Sequence, residues 1–304
     1  MPSTRAGRAA LLPRVTLPGA RAPGPNRRAA HRGFALFSLL VVILIAAFLI
    51  AVLLPSICHS GDTANRLKCT DNLRQIGLGL EIYATDNQGQ YPRTRYEVAR
   101  VVIPDVSSAG ANSINPFAAN SRVPANCVPS ALFLLLRTQA MPSSIFVCPS
   151  TAARPDNYGG SNGAAIQRGN FTAVATNLSY SYANPYPDAA ALAKGYRLSV
   201  DLNSGFALLA DLNPGTSAGS DELSVNVGSS PAQVHLANSR NHSREGQNVL
   251  FADGHIEFDG TPLVGINHDN IYCRGNGGPT ATSRDIVNSP RDANDSVLLP
   301  ADRD

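Results

Sequence analysis

The stretch HRGFALFSLLVVILIAAFLIAVLLPSI, residues 31–57, decides the fold. Its apolar run from Phe34 to Leu54 is interrupted only by Ser38. At about 1.5 Å rise per residue, a helix of that length matches a bilayer core about 30 Å thick. The run is longer than the apolar region of about 7–15 residues in a secretory signal peptide. The stretch therefore predicts a retained, membrane-spanning helix over residues 34–54.

The segment before this run, residues 1–33, carries seven arginines and no acidic residue. A positively charged flank of this kind stays in the cytoplasm, so the part of the chain after the apolar run is expected to be translocated to the other side of the membrane. Apolar residues do not recur at regular intervals in this segment, which predicts a disordered leader. The net charge of the whole chain is +3, so the part after the leader is net negative and offers no basic stripe. Nucleic acid is therefore not expected as a partner.

An amphipathic helix is predicted to follow the apolar run and to end at DNQGQYP, residues 86–92. An apolar stripe recurs there at steps of four and three residues, formed by Cys69, Leu73, Ile76, Leu80 and Tyr83. This spacing places the stripe on one helix face. The sequence therefore predicts one long helix over residues 34–90 that packs on a globular head formed by residues 91–304.

The head is predicted to be α+β, with an antiparallel sheet and long loops, since the chain contains 25 glycines and 22 prolines. The predicted elements are a helix over Ala131–Arg137 and strands over Ile145–Cys148, within NLSYSYANPY (177–186) and over Phe206–Ala210. The segment 213–247 and the tail from about residue 274 are rich in polar residues and turn formers. Both are predicted to be loops.

The segment GQNVLFADGHIEFDG, residues 246–260, predicts a hairpin with strands Asn248–Phe251 and His255–Phe258 around an Asp253-Gly254 turn. His242 lies shortly before it. Histidine and aspartate side chains on a hairpin could bind one cation. The alternative is that Asp253 forms the turn, His255 faces solvent and His242 bonds to a loop. The spacing matches no zinc site.

The five cysteines form no CxxC pair and no zinc-ligand spacing. Disulfides are permitted outside the cytoplasm, and Cys127 and Cys148, which flank one apolar segment, are predicted to pair; unpaired buried cysteines are the alternative. Asp211, Asp221 and Glu222 could hold calcium through their oxygens or could form a solvated acidic loop. No other cofactor is expected. Nucleophile-elbow, P-loop and dinucleotide motifs are absent from the sequence, so no enzymatic activity is expected.

Both ends of the chain resemble known pilin-like proteins. The basic leader ending in Gly33, followed by Phe34, resembles the N-terminus of type IV prepilins and type II secretion pseudopilins. Pro55, residue 22 when Phe34 is counted as residue one, matches their helix-loosening proline. The segments 69–92, IFVCPS (145–150), 241–258, INHDNIY (266–272) and DSVLLP (295–300) are similar to a pilin-like bacterial family with a C-terminal H-X9-DG element.

The resemblance implies a pilin-like fold and a structural role in a type II secretion or type IV pilus-like system. It implies cleavage between Gly33 and Phe34 by a prepilin peptidase, N-methylation of Phe34, and contact with other pilin or pseudopilin subunits through the N-terminal helix. The expected location is the bacterial inner membrane, crossed once and in contact with lipid, with the N-terminus cytoplasmic and the head periplasmic. The alternative is an extracytoplasmic binding protein or metal-dependent enzyme that uses a pilin-like anchor.

Two positions depart from the family pattern. Ser38 occupies the fifth position after the cleavage junction, where the family carries a glutamate that helps to register one subunit against its neighbour. The H-X9-DG element corresponds here to His242, Asp253 and Gly254, but ten residues separate His242 from Asp253. The first departure affects subunit registration and leaves membrane anchoring intact.

Overall fold

The computed structural model describes residues 32–160, 163–215, 225–275 and 286–301, without the side chains of residues 32–35 and 51–60. The chain divides into two compact units, residues 1–56 and 57–304. Nearly all of the predicted leader, residues 1–33, lies outside the described residues.

Helix α1 spans Arg32–Asp86 and includes the predicted amphipathic stretch. Within the second unit its buried stripe consists of Cys69, Leu73, Ile76, Leu80 and Ala84. Tyr83 is only partly buried but packs against the same core, so the predicted packing of this face on the head is confirmed. The helix ends where Gly89 adopts a φ of 77° and donates its N–H to Ala84 O at 2.8 Å. Gln88, with a φ of 56°, is the left-handed residue that directs this bond to a carbonyl left open at the helix C-terminus.

The head is built on a five-stranded sheet in the order β4-β3-β2-β1-β5, in which every pairing is antiparallel. The strands are β1 Tyr180–Ala183, β2 Ala207–Asp211, β3 Gln247–Phe251, β4 Ile256–Asp259 and β5 Leu298–Leu299. Every residue of β1, β2 and β3 is buried. The centre of the sheet is therefore covered on both faces, and the α+β prediction with an antiparallel sheet is confirmed.

The second half of α1 lies against this sheet. A Cβ added at Gly77 would lie 2.9 Å from Leu250 Cδ2 of β3, so glycine lets the helix approach the strand closely. Asn72 Nδ2 of α1 donates to Tyr180 Oη of β1 and to Val147 O, each at 3.0 Å. Asn72 thus adds a polar contact between α1 and the sheet to the apolar packing.

The next helix, α2, spans Val128–Thr138 and is buried from Val128 to Leu136. A short helix that is apolar on every face belongs inside a core. Its Phe133 ring meets the Phe171 ring edge to face at 5.1 Å. The shorter helices are α3 Val174–Asn177, α4 Ala189–Ala193 and α5 Pro231–Ala237, with 3-10 helices at Ser143–Phe146, Ala165–Gln167 and Arg240–His242.

Three secondary-structure predictions differ from the structure. The strand predicted over Ile145–Cys148 is wrong: Ser143–Phe146 is a 3-10 helix, since an apolar run this short does not distinguish strand from helix. The segment predicted as loop contains α5, which begins with a capping box between Ser230 and Gln233. The predicted C-terminal loop contains β5, because Leu298 and Leu299 pair with β1.

Candidate functional site

A buried cluster of polar side chains joins α1 to the head. Cys69 comes from α1, Cys148 from the turn after the 3-10 helix Ser143–Phe146, Asp211 from the end of β2, and His242 from the end of the 3-10 helix Arg240–His242. All four residues are buried. The tertiary fold therefore brings together groups that are up to 173 positions apart in the sequence.

The two sulfurs are the closest pair in this cluster. Cys69 Sγ lies 2.6 Å from Cys148 Sγ, although both residues are free thiols. His242 Nε2 lies 3.8 Å from Cys148 Sγ and 3.4 Å from Asp211 Oδ2. Each of the four side chains offers a metal-ligand atom, and these atoms all lie within 4.8 Å of one another. The arrangement can thus support either thiol chemistry or the binding of a soft cation.

Asp211 is the centre of the hydrogen-bond network. Its Oδ2 accepts the backbone N–H of Asn248 at 2.7 Å and the side-chain amide of Asn248 at 3.0 Å. Its Oδ1 accepts the side-chain amide of Asn241 at 2.9 Å. Asn248 Oδ1 in turn accepts the hydroxyl of Thr70 on α1 at 2.9 Å. The buried carboxylate of Asp211 is therefore hydrogen-bonded to protein donors, and the hydrogen-bond network extends through Asn248 to Thr70 of α1.

The close contacts shift the pKa values in this cluster. The contact with Cys148, helped by His242, lowers the pKa of the Cys69 thiol to about 6 against the opposing effect of burial. The same contact raises the pKa of Cys148. Burial lowers the pKa of His242, but Asp211 and Cys69 together outweigh burial and raise it to about 9. The cluster therefore favours a Cys69 thiolate beside a protonated His242 at neutral pH.

A polar cavity of about 530 Å³ lies next to the cluster. His242 lines it together with Arg66 of α1, and Pro149 and Ser150 after Cys148 also contribute. The Arg66 guanidinium lies 4.4 Å from the centre of the Phe258 ring, which itself meets the His242 ring at 5.9 Å. The cavity reaches His242, whereas both sulfurs are fully buried.

His242, Asp253 and His255, the residues considered as a cation site, do not lie together in the described part of the chain. Asp253 Oδ1 accepts the backbone N–H of His255 at 3.0 Å at the exposed turn, and the His255 ring stacks on Phe251 at 4.4 Å. Gly254 has a φ of 87°, as the turn requires. His242 instead faces Asp211 in the buried cluster. The predicted turn and the solvent-facing position of His255 match the structure.

The structure separates the two cysteines that were predicted to pair. Cys127 Sγ lies 3.5 Å from the Asn170 side-chain amide and 3.8 Å from Ser107 O, whereas Cys148 faces Cys69. Both Cys127 and Cys148 are free thiols. A cysteine on α1 therefore replaces Cys127 as the neighbour of Cys148.

Of the three residues predicted as a calcium-binding loop, only Asp211 lies among the described residues, and it is buried at the end of β2. Asp221 and Glu222 fall outside them. A second pair of buried carboxyl groups lies elsewhere in the head. Burial and the neighbouring Asp295 raise the pKa of Asp269 to about 9, and burial raises that of Asp295 to about 6.

The first unit presents an apolar helical segment, residues 36–50, that is exposed at every position. Its twelve large hydrophobic side chains are 38–68% exposed. Among the residues whose side chains are described, we find no helix long and apolar enough to cross a membrane. The predicted span, residues 34–54, extends beyond that part at both ends. Gly33 and Phe34 lie in the first turn of α1, and their side chains are not among those described.

One comparison links the chain to a known protein. The chain is similar to the type II secretion system core protein G of Klebsiella michiganensis, with 34% identity over 68 residues. The match covers 22% of this chain and 47% of that protein, so the chain spans about half the length of the curated relative it matches. No protein-family model matches the chain, and no solved structure matches it. The partial similarity supports a pilin-like family.

Sequence reasoning placed Cys69, Cys148, Asp211 and His242 in four separate contexts. In the sequence Cys69 belongs to an apolar stripe, and Cys148 is predicted to pair with Cys127. Asp211 was assigned to a loop and His242 to a hairpin motif. Segments 69–92, 145–150 and 241–258 resemble the same pilin-like family, and each contains a side chain of the buried cluster. The resemblance by itself does not place the three segments in contact.

Proposed function

We propose that this protein is a structural, non-enzymatic subunit of a type II secretion or type IV pilus-like machine. Its N-terminal helix anchors it in the bacterial inner membrane and contacts other pilin-like subunits. The N-terminus lies in the cytoplasm and the head in the periplasm. A prepilin peptidase cleaves the chain between Gly33 and Phe34, and Phe34 becomes N-methylated.

The observation that carries this proposal is the exposed apolar segment 36–50. A helix that is apolar on every side is stable only when lipid or other helices cover it. In the sequence the apolar run continues to Leu54, which gives a length of about 30 Å at 1.5 Å per residue. The same surface can lie in lipid before assembly and pack against neighbouring helices afterwards.

Two further findings support the proposal. The chain is similar to a protein named as a core component of the type II secretion system. The α1 stripe buried against the head makes the helix and the head one mechanical unit beyond residue 57.

Ser38 is the position at which this subunit departs from the family that it resembles. A carboxylate within a lipid-facing helix is costly and is kept for a function. A serine removes both that cost and the charge that would pair with a neighbour's N-terminal amine. We therefore expect anchoring without the usual registration contact, as in a minor subunit that does not propagate a filament by itself.

The anchoring step is tested by charging the apolar segment. Val42→Arg combined with Ile45→Arg introduces two cations, and each arginine costs about 2.5–3.5 kcal/mol in a membrane-spanning helix. The matched control is Val101→Arg with Ile103→Arg, two equally exposed aliphatic residues of the head. We expect the first variant to leave the membrane fraction and the control to remain. Retention of both variants in the membrane would reject the proposed anchor.

The processing step is tested by the intact mass of the protein from cells with and without a prepilin peptidase. The expected mature chain begins at Phe34 and carries one methyl group. Gly33→Leu should block cleavage, whereas Gly61→Leu, at a site with open space around it, should not. Full-length chain in both kinds of cell would contradict the processing proposal.

A metal-dependent protein on a pilin-like anchor is the second candidate, because four ligand atoms meet where α1 packs on the head. All four residues are buried, whereas a catalytic zinc keeps an open position for water or substrate. Stoichiometric metal in the purified chain that disappears in His242→Ala would favour this second candidate.

A further inference from the structure

The geometry points to a disulfide between Cys69 and Cys148 that fastens helix α1 to the head. The two thiol sulfurs face each other at 2.6 Å, well within the contact distance of two unbonded sulfurs. A disulfide bond is about 2.05 Å long, so a movement of about half an ångström would complete it.

A shared metal ion fits these positions less well. Zinc binds thiolate sulfur at about 2.3 Å, and tetrahedral geometry then separates two ligating sulfurs by about 3.8 Å. The sulfurs would have to move apart by more than 1 Å, inside a core where both residues are fully buried. Asp211 would have only one lone-pair direction left for the metal, because its two oxygens already accept three N–H groups.

The surroundings favour formation of the disulfide bond. Docking of α1 brings Cys69 Sγ to 2.6 Å from Cys148 Sγ, which is the approach that the second attack of thiol–disulfide exchange requires. His242 lies 3.8 Å from Cys148 Sγ, and Cys148 and His242 together lower the pKa of Cys69 in the folded protein. Cys127 lacks such a neighbour, and burial raises its pKa to about 12. The structure thus distinguishes a reactive pair from a structural buried cysteine.

The reaction is an exchange with an external disulfide such as oxidised glutathione. The Cys69 thiolate attacks one glutathione sulfur, forms a mixed disulfide and releases one glutathione thiolate. Cys148 then loses its proton and attacks the Cys69 sulfur, which releases the second glutathione. Two protein thiols become one disulfide, one glutathione disulfide becomes two thiols, and the thiol protons pass to the departing sulfurs. Because both sulfurs are buried, the first step precedes the docking of α1.

The bond would close a loop of 79 sequence positions between the helix and the sheet. It would prevent the stripe around Leu73 from separating from the head. Formation of the Cys69–Cys148 disulfide in the purified protein depends on the fold alone. Its presence in cells rests on the proposed periplasmic position, since disulfides persist in oxidising compartments.

Peptide mapping tests the assignment on the full chain, both as isolated from cells and after reduction and refolding in a glutathione buffer. Trypsin without reductant should release residues 69–74 linked to residues 138–168, because cleavage after Arg154 is blocked by Pro155. Cys127 falls in a separate peptide, residues 123–137. Cys69→Ser and Cys148→Ser should each abolish the linked peptide, whereas Cys127→Ser should leave it unchanged.

Linkage of 123–137 to 138–168, or alkylation of both Cys69 and Cys148 after refolding in the glutathione buffer, would overturn the proposal. One zinc per chain that protects both thiols from alkylation would also overturn it. Because the wild-type map is sufficient by itself, a variant that fails to fold does not obscure the result. If the bond forms in the buffer but is missing from the cellular protein, the disulfide stands and the proposed periplasmic location fails.

Discussion

Asp211 gives the most direct test of how the head holds α1. Its carboxylate is fully buried and accepts three N–H groups from Asn241 and Asn248. It also faces His242 at 3.4 Å. Asp211→Ala removes the acceptor of the backbone N–H of Asn248 and of one N–H of each side-chain amide, while Asn241 Nδ2 keeps its bond to Ser179 O at 2.8 Å.

The expected loss follows from the number and kind of these contacts. Hydrogen bonds to a charged group contribute about 1.5–3 kcal/mol each, but they are not additive. Removing one partner of a buried charged pair costs about 3–5 kcal/mol. We expect Asp211→Ala to lose about 3–5 kcal/mol of unfolding free energy. For a domain of this size, each kcal/mol lowers Tm by about 2–4 °C, which gives a shift of about 10 °C.

The assay is urea unfolding of the full chain in mild detergent, followed by circular dichroism and tyrosine fluorescence, because the chain has nine tyrosines and no tryptophan. Asp211→Asn keeps the shape and one acceptor oxygen, so it should cost about 1–3 kcal/mol. The matched control is Asp71→Ala, whose exposed carboxylate pairs with Arg74 on the surface of α1; it should change stability by less than about 0.5 kcal/mol.

The reasoning would be refuted if Asp211→Ala unfolded within about 1 kcal/mol of the wild type with an unchanged denaturant slope. That result would mean that the buried donors find other acceptors and that the carboxylate does not organise the cluster.

Three other perturbations test separate parts of the structure. Leu73→Ala, in the buried α1 stripe, should cost about 2–5 kcal/mol in urea unfolding, whereas Leu78→Ala, exposed on the same helix, should be nearly neutral; equal losses would contradict the packing. Burial and the charge of Asp295 raise the pKa of Asp269 from 3.8 to about 9, so the folded state holds a proton that the unfolded state releases, and stability should fall as pH rises from about 4 to 9. Asp269→Asn should flatten that slope in urea titrations at several pH values, and an unchanged slope would rule out this carboxyl as its source. Gly254→Ala, at a φ of 87°, should lower the unfolding free energy by about 1 kcal/mol through backbone strain, a loss that differential scanning calorimetry would detect.

Local patterns predicted α1, α2 and four of the five described strands. The alternating steps of four and three residues around Leu73 predicted the buried face of α1, because helical geometry alone aligns those positions. The Asp253-Gly254 turn predicted the β3–β4 hairpin, because few dipeptides adopt its backbone angles. The strand predicted over Ile145–Cys148 was wrong, since a short apolar run fits either a strand or a helical turn.

By itself, the sequence determined the long apolar helix, its amphipathic continuation, the hairpin and the α+β class, because each depends on residues close together in the chain. Only the tertiary structure decided that Cys148 faces Cys69 instead of Cys127, and that Asp211 and His242 meet beside them. Those contacts join segments up to 173 positions apart. They arise because the buried stripe of α1 and the order of the strands bring the segments together, and no local spacing rule encodes that order.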